Sequence, residues 1–97
     1  MESFRRFDVA VHRGVAMVTI ESDLLPPDPA IVVIPLLADY PAVPLLNPVL
    51  RLEDGRQLVL ATRLIASVRR GAIRRIGSVS DQGERITRAI DILMAGV

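Results

Sequence analysis

A mainly β domain closed by one carboxy-terminal α-helix is the fold class this chain predicts, and three observations carry the prediction. Two pairs of short apolar segments are separated by turn residues, His12-Arg13-Gly14 and Asp54-Gly55, as in antiparallel hairpins. Prolines punctuate the interior of the chain, which excludes long helices there. The last stretch changes period: Ile86, Ala89, Ile90, Leu93 and Met94 recur at the spacing of one helical face. Hairpins followed by one helix make a small β-barrel or sheet with a terminal helix.

Each element follows in order. Phe7-Asp8-Val9-Ala10-Val11 alternates like a half-buried strand, and Val15–Ile20 pairs with it across the His12-Arg13-Gly14 turn. Leu24-Leu25-Pro26-Pro27-Asp28-Pro29 is an ordered loop, because three prolines fix dihedrals and remove donors. Ile31–Ile34 is continuous and β-branched, a strand buried on both faces, and Pro35 marks its end or an edge position. A second proline-rich loop spans Tyr40–Pro48. Asp54-Gly55 then predicts a type I′ turn between Val49–Glu53 and Arg56–Leu60. Leu64–Val68 is compatible with strand or a short helical turn, and Ala72–Ile76 reads as a further strand. Ser80 or Asp81 offers a helix cap, Glu84 completes a capping box with Asp81, and Glu84 and Arg88 are spaced to pair. Gly96 stands where a left-handed cap is wanted, which would turn Val97 and its carboxylate in a fixed direction.

Composition narrows the function classes. A chain of 97 residues is a single domain, 1–97, with a modest core that dimerisation would enlarge. Aromatics are only 3%, so Val, Ile, Leu and Ala build that core. The longest apolar run, Ala30–Ala38, falls far short of the roughly 20 residues that span a bilayer, and Met1–Arg6 leads into no continuous apolar core. The expectation is a cytoplasmic protein that meets no membrane. Absence of cysteine removes disulfides and thiolate chemistry. A net charge of +1 gives no general pull toward nucleic acid. All 12 cationic side chains are Arg, and Arg69, Arg70, Arg74 and Arg75 crowd around Gly71. This cluster is a solvated strand face, or a site for an acidic protein partner through bidentate guanidinium–carboxylate pairs, or, last, a nucleic-acid contact that lacks an aromatic platform.

Catalytic machinery is hard to assemble from these residues. His12 is the only histidine, lies in a turn, and has no local group to orient it for proton transfer. The carboxylates are scattered without the spacing of a metal loop or a dyad, and no glycine-rich phosphate loop occurs. Thr62-Arg63 is the one pair that would suit phosphoryl chemistry. No catalytic residue, metal or cofactor is expected.

Several segments, in order and spacing, carry a resemblance: Phe7-Asp8-Val9, Ser22-Asp23-Leu24-Leu25, Val33-Ile34-Pro35-Leu36, Pro48-Val49, Ala66-Ser67-Val68, Ile76-Gly77 and Ala89–Val97. In these the chain resembles the CcdB family of plasmid-maintenance toxins. The resemblance implies an SH3-like antiparallel β-barrel with a small accessory sheet and a carboxy-terminal helix, assembled as a homodimer with the helices near the two-fold axis. It further implies a toxin, not an enzyme, that binds the DNA gyrase A subunit and traps cleaved DNA, and that a CcdA-like antitoxin neutralises. The family's gyrase-contacting positions fall on Ser22, Leu24, Leu25, Asp91, Ala95, Gly96 and Val97.

Three departures bear on that implication. Gyrase-poisoning members carry Trp where this chain has Ala95, and loss of a buried Trp anchor typically costs at least about 2 kcal/mol. Asp91 replaces an Asn, and the segment between Ile76 and the helix is shorter. Two other readings therefore stay open: a ribonuclease of the MazF type on the same barrel, and a non-toxic dimer that retains only antitoxin recognition.

Overall fold

A computed structural model describes residues 3–96. Seven strands form one antiparallel sheet: β1 (Asp8–His12), β2 (Val15–Thr19), β3 (Ala30–Leu37), β4 (Val49–Arg51), β5 (Gln57–Leu60), β6 (Ala66–Arg69) and β7 (Arg74–Ser78). Helix α1 (Gly83–Ala95) follows. The sheet runs β4-β5-β3-β2-β1-β7 and curls into a half-barrel, with β6 branching from β3 beside β5. Both β5 and β6 pair with β3, so the accessory part of the expected barrel is an extension of the main sheet. The mainly β class with one terminal helix is thus the fold observed.

Strand periodicity sorts the core into two layers, because successive side chains point to opposite faces. Val9, Ala16, Val18, Ile34 and Leu36 join Leu50, Leu58, Leu60, Ile86 and Ala89 under α1. Ala10, Met17, Ile31 and Val33 face the other way and pack with Ile73, Val68 and Phe4. β1 is therefore not half-buried as its alternation predicts: Asp8, Val9 and Ala10 are all buried, since the curled sheet covers both faces.

The type I′ turn expected at Asp54-Gly55 is found instead at the first hairpin. Arg13 and Gly14 both have positive φ, +51° and +78°, which makes the two-residue β1–β2 loop the type I′ turn. At the second hairpin only Gly55 does, at +92°, and its N–H donates to Leu52 O at 3.0 Å. That is the three-residue solution, a tight turn followed by one left-handed residue. Asp54 adds a local brace: its carboxylate accepts from the backbone N–H of Arg56 at 2.9 Å, which lowers the carboxyl pKa.

Pro35 lies inside β3 and not at its end. Ile20 N–H donates to Val32 O, so the even-numbered residues of β3 exchange hydrogen bonds with β2, and the missing donor of Pro35 faces the opposite side. There β6 pairs only as far as Val33 and β5 begins at Leu36, so Pro35 occupies the gap in which the sheet branches. Its carbonyl still accepts from Ala61 N–H at 2.9 Å.

The start of the helix also differs from expectation. Ser80–Gln82 forms a 3-10 turn, α1 begins at Gly83, and no side chain caps it. The Asp81–Glu84 box is not made, and Glu84 and Arg88 form no ion pair. Packing fixes the entry instead. Val79 N–H donates to Phe7 O, and the Phe7 ring lies so close to Gly83 that a Cβ there would stand 2.6 Å from it. Gln82 turns outward from this junction: its carboxamide accepts from Arg51 N–H at 2.9 Å and donates to Arg51 O at 2.8 Å. One side chain thereby supplies edge strand β4 with both bonds of a neighbouring strand. The last turn matches its prediction, since Gly96 has φ +73° and donates to Ile92 O at 2.9 Å. Val97 lies outside the described residues.

Candidate functional site

The residues between β2 and β3 present apolar side chains to solvent. Ser22 builds the turn: its hydroxyl accepts from Leu24 N–H at 3.1 Å and its carbonyl from Leu25 N–H at 3.2 Å. Leu24 is thereby held 93% exposed and Leu25 57% exposed. A solvent-facing Leu pair on a hydrogen-bonded turn has no role in this chain's own core.

Arg6 ties this turn to the helix. Its backbone N–H donates to Asp23 Oδ1 at 2.7 Å, and its guanidinium reaches Thr87 Oγ1 at 3.4 Å, passing over the Phe7 ring 4.6 Å from the centroid. Thr87, Asp91 and Ala95 are spaced four apart and so lie in one row along α1. A single arginine therefore joins the turn to the Thr87 end of this row. Asp91 is exposed and borders an open groove between Phe7 and the helix. Ala95 and Gly96 are exposed at its end. The inward face of α1 is Gly83, Ile86 and Ala89, while Ile90 and Leu93 are half-buried and Met94 is 75% exposed.

The four clustered arginines separate into different environments. Arg69 in β6 and Arg74 in β7 are exposed. Arg75, also in β7, leans on the buried carboxylate of Asp8, with Nε 3.2 Å from Oδ2. Asp8 is itself fixed by Arg5 N–H at 2.8 Å. Arg70 is only 9% exposed: Nε donates to Asp28 O at 2.9 Å, Glu21 Oε1 stands 4.0 Å away, and the Phe4 ring lies 6.0 Å from the guanidinium carbon. Sequence reading missed Arg6, Asp8, Glu21 and Phe4 as the residues that organise this side. The one available signal was Asp8, a carboxylate inside an apolar strand.

The residues weighed for catalysis have structural employment. Thr62 is fully buried and its hydroxyl donates to Leu46 O at 2.5 Å, which anchors the second proline-rich loop. His12 is not without a partner: Nδ1 lies 2.7 Å from Ala72 O, so the imidazole pins the 3-10 turn Arg70–Ala72 to the first hairpin. Among the described residues, no three His, Cys, Asp or Glu side chains converge as metal ligands. No helix among them is long and apolar enough to cross a membrane.

A half-barrel ending in a helix with an exposed tip, beside a turn that displays two leucines, is the frame in which comparison with known families becomes decisive. The family described as CcdB protein matches residues 5–96, nearly the whole chain. The chain belongs to the CcdB family. A search of curated proteins finds no match. Membership supports a toxin of a toxin–antitoxin pair. Within this CcdB-family fold the match spans both the Ser22–Leu25 turn and α1 up to Gly96, the two segments that Arg6 joins.

Proposed function

We propose that this protein is a non-enzymatic, cytoplasmic toxin that binds the DNA gyrase A subunit with Ser22, Leu24, Leu25, Asp91, Ala95, Gly96 and Val97, and that Ala95 in place of Trp weakens the contact. One observation carries the reading. The Arg6 link between the exposed leucine turn and Thr87, the first member of the Thr87-Asp91-Ala95 row, supports one surface built from two segments far apart in sequence. Burial of Thr62 takes one member of the Thr62-Arg63 pair away from the ribonuclease reading. The test is expression in a sensitive host, followed by assays for gyrase–DNA cleavage complexes and for cut RNA. Growth arrest with trapped cleavage complexes supports the reading; arrest with cut RNA and no complexes overturns it.

The working unit in this proposal is a homodimer with Leu93 and Met94 at or near the two-fold. Met94, 75% exposed beside a half-buried Leu93, leaves an apolar end on α1 that one subunit does not cover. An isologous contact covers both copies at once. Light scattering at micromolar concentration is expected to give twice the chain mass, and a monomer there removes the dimer.

An acidic CcdA-like antitoxin segment is the proposed partner of Arg69, Arg70, Arg74 and Arg75. Exposed Arg69 and Arg74 suit salt-sensitive rim contacts, whereas Arg70 is reached only through the cavity beside it. Changing Arg69 and Arg74 to Gln is expected to weaken antitoxin binding severalfold at low salt and much less at high salt. Equal affinity of wild type and double variant at low salt refutes the contact.

A further inference from the structure

Beneath the Ser22–Leu25 turn lies a cavity of about 490 Å³, and its chemistry is that of a binding site. Phe4, Leu25, Pro27 and Ile31 supply apolar wall, and Arg5 and Arg70 supply guanidinium groups. Arg70 is the unusual member. Nine-tenths of it is buried, yet among the described residues only Nε has a hydrogen-bond acceptor. The nearest carboxylate, Glu21 Oε1, is 4.0 Å from Nη2, too far for a hydrogen bond. No fully enclosed side-chain nitrogen among the described residues lacks a partner, so the terminal nitrogens of Arg70 are reached from the cavity. Nη2 has a long ion pair with Glu21 but no hydrogen-bond acceptor, and these donors sit in a partly desolvated place, where a charged acceptor gains most.

Neither acid on the wall hydrogen-bonds the Arg70 terminal nitrogens, and Glu21 balances the guanidinium only from 4.0 Å. Glu21 Oε2 already accepts from Val32 N–H at 3.0 Å, and Asp23 Oδ1 from Arg6 N–H at 2.7 Å. Among the described residues the Arg5 side chain forms no hydrogen bond or ion pair. We infer that this cavity is a carboxylate-binding site in which Arg70, assisted by Arg5, takes the acid group of an extended peptide whose apolar flanks lie against Phe4, Leu25 and Ile31. The volume exceeds one side chain, which favours a short peptide segment over an isolated acid. Occupation touches Leu25, so the ligand also bears on the exposed turn. The inference rests on the reading of Arg70 as a contact for an acidic partner segment and deepens it by naming the cavity that takes the acid group; its test uses short peptides on the purified protein, whereas that reading is tested through Arg69 and Arg74, so either can fail without the other.

The probes are a capped Leu-Glu-Leu tripeptide, its Gln counterpart, and glutarate, titrated against the 15N-labelled protein. The Glu peptide is expected to shift the backbone amides of Leu25 and Ile31 and the Nε–H of Arg70, with the Gln peptide at least about tenfold weaker. Glutarate binding as well as the Glu peptide assigns the same site to a free dicarboxylate; weaker binding assigns it to a peptide. Arg70→Lys keeps the charge but loses the fork, and is expected to weaken the Glu peptide by about tenfold. Because Arg70 also braces the Asp28 loop, Arg5→Gln serves as the variant that leaves every described bond intact, and it is expected to weaken binding severalfold. No shift at these three groups, or equal binding of the Glu and Gln peptides, overturns the inference.

Discussion

Ala95→Trp should raise affinity for the gyrase A subunit by roughly thirtyfold or more and turn a weak binder into a poison of cleaved DNA. The expectation follows from placement. Ala95 is the last residue of α1, exposed, and in the same row as Asp91 and Thr87, the row whose Thr87 end Arg6 joins to the turn that carries Leu24 and Leu25. Gly96 already bends the chain in the left-handed conformation, and Ala95 before it offers no large apolar anchor. A buried Trp contributes at least about 2 kcal/mol in such a position. Pull-down and cleavage-complex assays on wild type and variant decide the matter. If the variant folds normally and gains nothing, the anchor argument is wrong, and the charge of Asp91 is the next group to change.

The second large effect concerns what holds that tip in place. Ile86 is fully buried between α1 and the sheet, in the layer that includes Val9, Leu50 and Leu60. Ile86→Ala is expected to cost about 2–5 kcal/mol, a large fraction of the ~5–15 kcal/mol that keeps a domain folded. Ile86→Val should cost only about 0.5–1.5 kcal/mol. Urea unfolding of both variants gives the values. A loss below about 1 kcal/mol for Ala would mean that α1 is not bound through this residue.

Much of this architecture is legible in the chain because its signals are local. Both hairpins, the strand around Ile31–Ile34 and the left-handed Gly96 follow from periodicity and turn chemistry over a few neighbours. The misreadings have a common cause, which is distance along the chain. Pro35 looks like a strand end until β6 and β5 are seen to divide one side of β3 around it. Asp81 and Glu84 look like a capping box until Phe7, from the first strand's approach, takes over the junction. The arginine cluster looks like one patch because its members are neighbours in sequence. Arg70 is drawn inward by Asp28, Glu21 and Phe4, and Arg75 by Asp8, none of which the spacing announces. The leucine turn and the helix row likewise carry no sequence sign that Arg6 joins them.

The double hydrogen bond from Gln82 to Arg51 also bears on how the molecule behaves in a crowd. An edge strand with open donors and acceptors is a template on which a second chain can add its own strand, and such additions continue without limit because each new strand exposes another edge. At Arg51 of β4 that template is occupied by a side chain of the same molecule, and a carboxamide cannot propagate. One residue thus blocks the Arg51 end of this edge, and a strand that adds here loses the two bonds at that position.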